Sequence, residues 1–168
     1  ELITKVILTL SPISGGGTVE AIASDPDGEG TQNITTNGPI ALRVGQSYRL
    51  SISLINELAD VTSPEYSITD EVEAEGHEHM FFFEWKEGAF SSPTGNGNAD
   101  NRRDVVGYQD EDSKGLPVGL VTSWTTITNP TTGKFRIILK HQPGSKSANS
   151  GVDVGETDLD VTFDLEIQ

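Results

Sequence analysis

The segment His77-Glu78-His79-Met80-Phe81-Phe82-Phe83-Glu84-Trp85 carries two of the chain's three histidines and its densest aromatic run. Neutral imidazoles two positions apart on an extended strand share a face. Their nitrogens can approach one borderline metal, zinc or copper, to ~2 Å and leave room for ligands from a neighbouring strand. On the same period His77, His79, Phe81, Phe83 and Trp85 form one row and Met80, Phe82 and Glu84 the other, so the first row reads as a core face with imidazoles at its mouth. Glu78 points away from the pair if the strand is regular, whereas Glu75 or Met80 can contribute if it is not. The remaining histidine, His141, closes an apolar alternation over Phe135, Ile137 and Leu139. Antiparallel pairing sets the start of one strand against the end of the other, which predicts His79 and His141 side by side at one rim, with His77 assisting. The competing reading is that these histidines hydrogen-bond loop carbonyls and bind nothing.

Two acidic turns offer a second cation chemistry. Asp25-Pro26-Asp27-Gly28-Glu29-Gly30 and Asp110-Glu111-Asp112-Ser113-Lys114-Gly115 each place carboxylates at alternating positions before a glycine, the spacing by which calcium loops converge oxygens on a hard cation. Neither has the later glutamate or the flanking helices of an EF-hand, and Asp and Gly are also common turn formers. Both are expected to be surface turns, with calcium in no more than one of them, held by Asp25 and Asp27 or by Asp110 and Asp112. Catalytic patterns are weaker. The serines lack a Gly-x-Ser-x-Gly elbow, and 26 acidic residues nominate no particular pair for glycoside hydrolysis. The expectation is a protein that is not an enzyme. Trp85, Trp124 and Tyr108 could stack sugar rings, but Trp85 continues the phenylalanine row and Trp124 lies between Val121 and Ile127, which places both tryptophans in a core.

Period-two segments rich in β-branched and aromatic residues, separated by Gly, Pro, Asp and Asn, must position these groups. Strands are predicted near 2–10, 18–23, 47–55, 79–85, 104–108, 120–128, 135–141 and 157–167, about eight in all. The final one alternates Leu159, Val161, Phe163, Leu165 and Ile167 with Asp158, Asp160, Thr162, Asp164 and Glu166, one face buried and one in water. The expected fold is a single all-β domain over residues 1–168, an antiparallel β-sandwich of the Ig-like or Greek-key kind. Its core is expected to include Leu8, Phe81, Phe83, Trp124, Ile138, Val161 and Phe163. One short helix is predicted near 69–76, capped by Thr69 or Asp70, stopped by Gly76, and delivering the chain into the histidine strand. The loops 91–101 and 142–155 read as too polar to bury.

A formal charge of -15 in 168 residues repels phosphate and anionic lipid, which sets nucleic-acid binding aside. The chain has no cysteine, hence no disulfide, zinc knuckle or thiol nucleophile. No stretch approaches the ~18 apolar residues of a membrane-spanning helix. The sequence opens within a strand pattern and reads as a mature fragment whose export signal has been removed.

The order of Leu2-Ile3-Thr4-Lys5-Val6-Ile7-Leu8-Thr9, Asp25-Pro26-Asp27-Gly28, Ile55-Asn56-Glu57, His77 to Phe83, Asp110 to Gly119 and Leu139-Lys140-His141-Gln142-Pro143-Gly144 resembles small exported lipoproteins of the Bacteroidota type, often encoded beside TonB-dependent outer-membrane receptors. The resemblance implies export to the periplasm or cell surface, a lipid on a cysteine preceding this sequence as the sole membrane attachment, and the handing of a nutrient to a TonB-dependent outer-membrane receptor. Two functions are consistent with the residues. One is a non-catalytic module that binds a transition metal or metal complex through His79 and His141. The other is an adhesion or glycan-binding module stabilised by calcium.

Overall fold

Alternation of apolar and polar residues along each strand leaves one apolar face that only a second sheet can cover, and the chain folds accordingly. In a computed structural model, which describes residues 1–28 and 34–168, the strands are β1 (Lys5–Pro12), β2 (Val19–Ser24), β3 (Thr35–Thr36), β4 (Ile40–Leu42), β5 (Ser47–Ile55), β6 (His79–Trp85), β7 (Phe90–Ser92), β8 (Val121–Thr126), β9 (Thr131–His141) and β10 (Glu156–Ile167). A six-stranded sheet in the order β3-β2-β1-β5-β8-β7 faces a four-stranded sheet in the order β4-β10-β9-β6. All pairings are antiparallel except that of β4 with β10, which is parallel. The result is a β-sandwich with one mixed sheet.

Ten strands replace the eight expected among the described residues. The additions β3, β4 and β7 are two or three residues long, too short to show a period. The strand expected at 104–108 does not form. Asp104 N–H closes a turn onto Asn101, Val105 is exposed, and Tyr108 makes only a single bridge to Thr122. The helix α1 spans Ile68–Ala74, one residue earlier than expected. Its cap is Ser67, whose hydroxyl accepts from Asp70 N–H, rather than Thr69 or Asp70. Thr69 instead bonds the backbone of Leu54, and Ile68 and Val72 pack into the core, fastening α1 beside β5.

Between the sheets Leu8, Phe81, Phe83, Trp124, Val161 and Phe163 are buried as expected. Trp85 and Trp124 meet edge to face at 4.9 Å between ring centroids, and Trp124 meets Phe135 at 5.0 Å. Ile138 is buried elsewhere. It lies with Met80 and Phe82 in a second apolar cluster, against Ala99, Tyr108 and Val152, because Ile137 and Leu139 claim the inter-sheet face and a strand cannot turn three consecutive residues inward.

That outer cluster explains why the loops 91–101 and 142–155, although largely solvated as their composition suggests, each bury a few residues, Asn98 and Gln142 among them. Asn98 is buried, its Oδ1 accepting from Phe83 N–H and its amide donating to Tyr108 Oη, while Asn98 N–H returns to the Phe83 carbonyl. The segment thus covers the free edge of β6 and satisfies its backbone. Gly97 makes the approach feasible: its φ is +103°, and a Cβ there would run into the Phe83 carbonyl. We expect Gly97→Ala to cost about 2 kcal/mol or more, read as a lower midpoint in urea unfolding; an unchanged midpoint would contradict the close approach.

Candidate metal centre

The rim where β6 begins and β9 ends is built by strand register. His79 pairs directly with His141, and their rings stack at 4.6 Å between centroids with planes 9° apart. On the other side of β9, His141 pairs with Glu156 of β10, and the register shifts between Thr157 and Leu159. Asp158 is the residue that the shift leaves over. In a regular strand it would join Asp160 in water, but the irregularity re-aims it, and its side chain is only 9% exposed where that of Asp160 is 43% exposed. Glu1, ahead of β1, supplies the fourth group: its backbone is exposed but its side chain is 5% exposed and points inward. Glu1, His79, His141 and Asp158 each offer one ligand atom, and the four atoms lie within 4.8 Å of one another.

Hydrogen bonding determines the protonation of His79, whose side chain is 0% exposed. Nδ1 lies 3.2 Å from the carbonyl oxygen of Glu75 at the end of α1, and a carbonyl can only accept, so Nδ1 carries a hydrogen. Nε2 lies 2.7 Å from Glu1 Oε1, another acceptor, and 3.8 Å from Asp158 Oδ2. A bare lone pair cannot face a carboxylate at that distance, so the 2.7 Å contact holds either a proton shared between Nε2 and Oε1 or a metal ion in its place. An imidazole that spends one nitrogen on a backbone carbonyl and aims the other at carboxylates has the support that metal-bound histidines generally have.

The local pKa values follow. Burial pushes His79 down, but the hydrogen bond and charge of Glu1, the Glu75 carbonyl and the charge of Asp158 outweigh it, and the imidazole is raised above its ordinary value. Burial pushes Glu1 up, and the hydrogen bond and charge of His79 overcome it, lowering the carboxyl to about 2. Asp158 is raised to about 7 by burial and by the neighbouring Glu1 carboxylate, and its Oδ2 is buried without a hydrogen-bond partner. Near neutral pH the site therefore holds Glu1 as a carboxylate beside a half-protonated Asp158 carboxyl and an imidazole whose charged form is favoured.

His77 lies outside the core row. It precedes β6 in a turn, its side chain is 47% exposed, and its Nε2 is 3.4 Å from Glu78 Oε1. Glu78 is also in that turn, so strand alternation does not govern it, and its Oε2 reaches to 3.3 Å from His141 Nε2. Met80 faces the outer cluster and takes no part. Backbone contacts hold the turn: Gln142 N–H donates to the Glu78 carbonyl at 2.6 Å, and the buried Lys146 ammonium donates to Gly76 at 2.6 Å.

Comparison with known proteins brings no relative to bear on this site. No family model matches the chain, and neither a curated protein nor a solved structure matches it.

The acidic turns are used differently. Asp110 accepts from the backbone N–H groups of Gly119, Leu120 and Val121. Asp112 Oδ1 accepts from Lys114 and Leu116, and its Oδ2 lies 3.0 Å from the Lys146 ammonium, both side chains being 1% exposed. The Lys146 ammonium thus supplies the counter-charge at Asp112. Asp25 and Asp27 differ, because burial and its neighbour Asp27 raise the Asp25 carboxyl and its Oδ1 is buried without a partner. The rest of that turn, Glu29 and Gly30, lies outside the described residues.

Proposed function

We propose that the protein is a non-catalytic binding module that captures one borderline divalent ion, zinc or copper, alone or in a small complex, between His79, His141, Glu1 and Asp158. The observation that carries this reading is the 2.7 Å approach of His79 Nε2 to Glu1 when Nδ1 is already committed to the Glu75 carbonyl. A proton or a metal ion must occupy that point, and two imidazoles with two carboxylates form a donor set suited to tetrahedral zinc. Tetrahedral zinc with bonds of ~2 Å sets its ligand atoms about 3.3 Å apart, so the His79–Glu1 pair opens from 2.7 Å while the other ligand atoms close in, a movement that the rim position of His141 allows. In the setting implied by the motif order, the protein is an exported, lipid-anchored component of the outer membrane that passes its ion to a TonB-dependent receptor. No helix among the described residues is long and apolar enough to cross a membrane. Against a glycan-binding module stand the burial of Trp85 and Trp124 and the commitment of Asp110 and Asp112 to amides and Lys146.

Equilibrium titration of the demetallated protein with zinc, copper and calcium tests the assignment. We expect one zinc or copper ion per chain at micromolar affinity or tighter, and no competition from calcium. Calcium binding with no response to zinc or copper would overturn the reading in favour of a calcium-stabilised adhesion module.

A further inference from the structure

Each inner ligand differs in how an ion could reach it. The side chains of His79, Glu1 and Asp158 are 0%, 5% and 9% exposed, whereas that of His141 is 29% exposed. An arriving ion therefore meets His141 first. His141 also belongs to a second group: Glu75, Glu78 and His141 place their ligand atoms within 4.8 Å of one another, farther out on the same rim. Both oxygens of Glu78 face an imidazole, Oε2 that of His141 at 3.3 Å and Oε1 that of His77 at 3.4 Å. All three histidines of the chain thus converge on one rim of a strongly acidic protein. Farther out again, Glu75 groups with Glu71 and Glu1, so carboxylates run from the exposed face of α1 to the buried centre. Glu71 and Glu75 are four residues apart, where like charges repel on a helix. Neither forms an ion pair among the described residues, so a cation would relieve that repulsion.

Resting on the reading of the inner site as a metal centre, we infer that Glu75, Glu78 and His141, with His77 beside them, form an outer docking site for the same divalent ion, which His141 then passes inward to His79. The shared histidine makes the sites successive, with one ion per chain at equilibrium. An outer site of this kind speeds arrival and departure alike and leaves the inner affinity unchanged. Carboxylates lining an approach raise association rates by factors of about ten or more at low ionic strength.

Stopped-flow mixing of the apo protein with zinc, and of the zinc complex with excess chelator, reads the two rates directly. We expect Glu75→Gln and His77→Ala each to slow association at low salt, Glu75→Gln by about tenfold, and to slow release by a similar factor, with the equilibrium constant within about threefold of wild type. Glu20→Gln, the same charge change on β2 of the other sheet, should leave both rates unaltered. Unchanged rates in Glu75→Gln, or equal slowing in Glu20→Gln, would overturn the docking site, the latter by reducing it to net charge. Weakened affinity with an unchanged association rate would also overturn it, by making Glu75 an inner ligand. Failure of the metal-centre reading is distinct, since wild type would then bind no zinc in the same instrument.

Discussion

Replacing His79 by alanine is expected to abolish zinc and copper binding and to lower the stability of the apo protein by about 2 to 4 kcal/mol, because the substitution removes a ligand and strands two buried carboxyl groups. The spacing of the histidines alone suggests a rim residue whose loss leaves the fold intact. The structure changes that expectation for His79, which is fully buried, bonded to Glu75 and Glu1 and facing Asp158. It does not change it for His141, whose ring is partly exposed and whose only side-chain hydrogen bond among the described residues is the 3.3 Å contact with Glu78. His141→Ala should therefore weaken zinc binding by about a hundredfold while shifting the melting temperature by no more than about 2 °C. The two variants separate ligation from folding. Wild-type zinc affinity in His141→Ala would contradict shared ligation.

The second large effect is on pH. His79 and Asp158 both have raised pKa values in the folded chain, Asp158 moving from 3.8 to about 7. Between about pH 4 and pH 7 the folded apo protein therefore binds more protons than the unfolded chain, and its stability must fall as pH rises through that window. Glu1, lowered to about 2, has the opposite sign: its contribution is present above its ordinary value of 4.5 and is lost as pH falls toward 2. Apo stability should peak near pH 5 and decline toward pH 8 by about 2 kcal/mol, or roughly 5 °C in melting temperature. Asp158→Asn should flatten the decline, since an amide has no proton to lose. Zinc reverses the trend by replacing the protons on Nε2 of His79 and on Asp158, so its affinity should fall below pH 7 by up to roughly two decades per pH unit. Superimposable melting profiles for wild type and Asp158→Asn would rule out Asp158 as the titrating group.

The parts of this arrangement legible in the sequence are those governed by period. Alternation of Leu159, Val161, Phe163 and Leu165 placed β10 on the core, and the rows beginning at His79 and ending at His141, combined with antiparallel pairing, brought those two residues together. Asp158 was hidden because a bulge breaks the very alternation that assigned it to water. Glu1 adjoins the strand predicted near 2–10, but no spacing motif ties it to His79, 78 residues away. Ile138 lies outside the inter-sheet core because polar loops carrying Asn98 and Gln142 close over the outer face of the small sheet and bury it there. Such loops are recognisable only once the apolar surface they cover is known. The Asp110 and Asp112 turn shows the converse: its spacing suits calcium, but the decisive partner, Lys146, lies in a loop more than thirty residues away in sequence.

X-ray absorption at the zinc edge of the one-to-one complex reads the ligand set itself. A centre held by both histidines gives about four nitrogen or oxygen neighbours at ~2.0 Å, with outer-shell scattering from two imidazole rings that falls to one ring in His141→Ala. A shell of six oxygens with no imidazole scattering, or a pattern identical in the two proteins, would contradict a metal centre shared by His79 and His141.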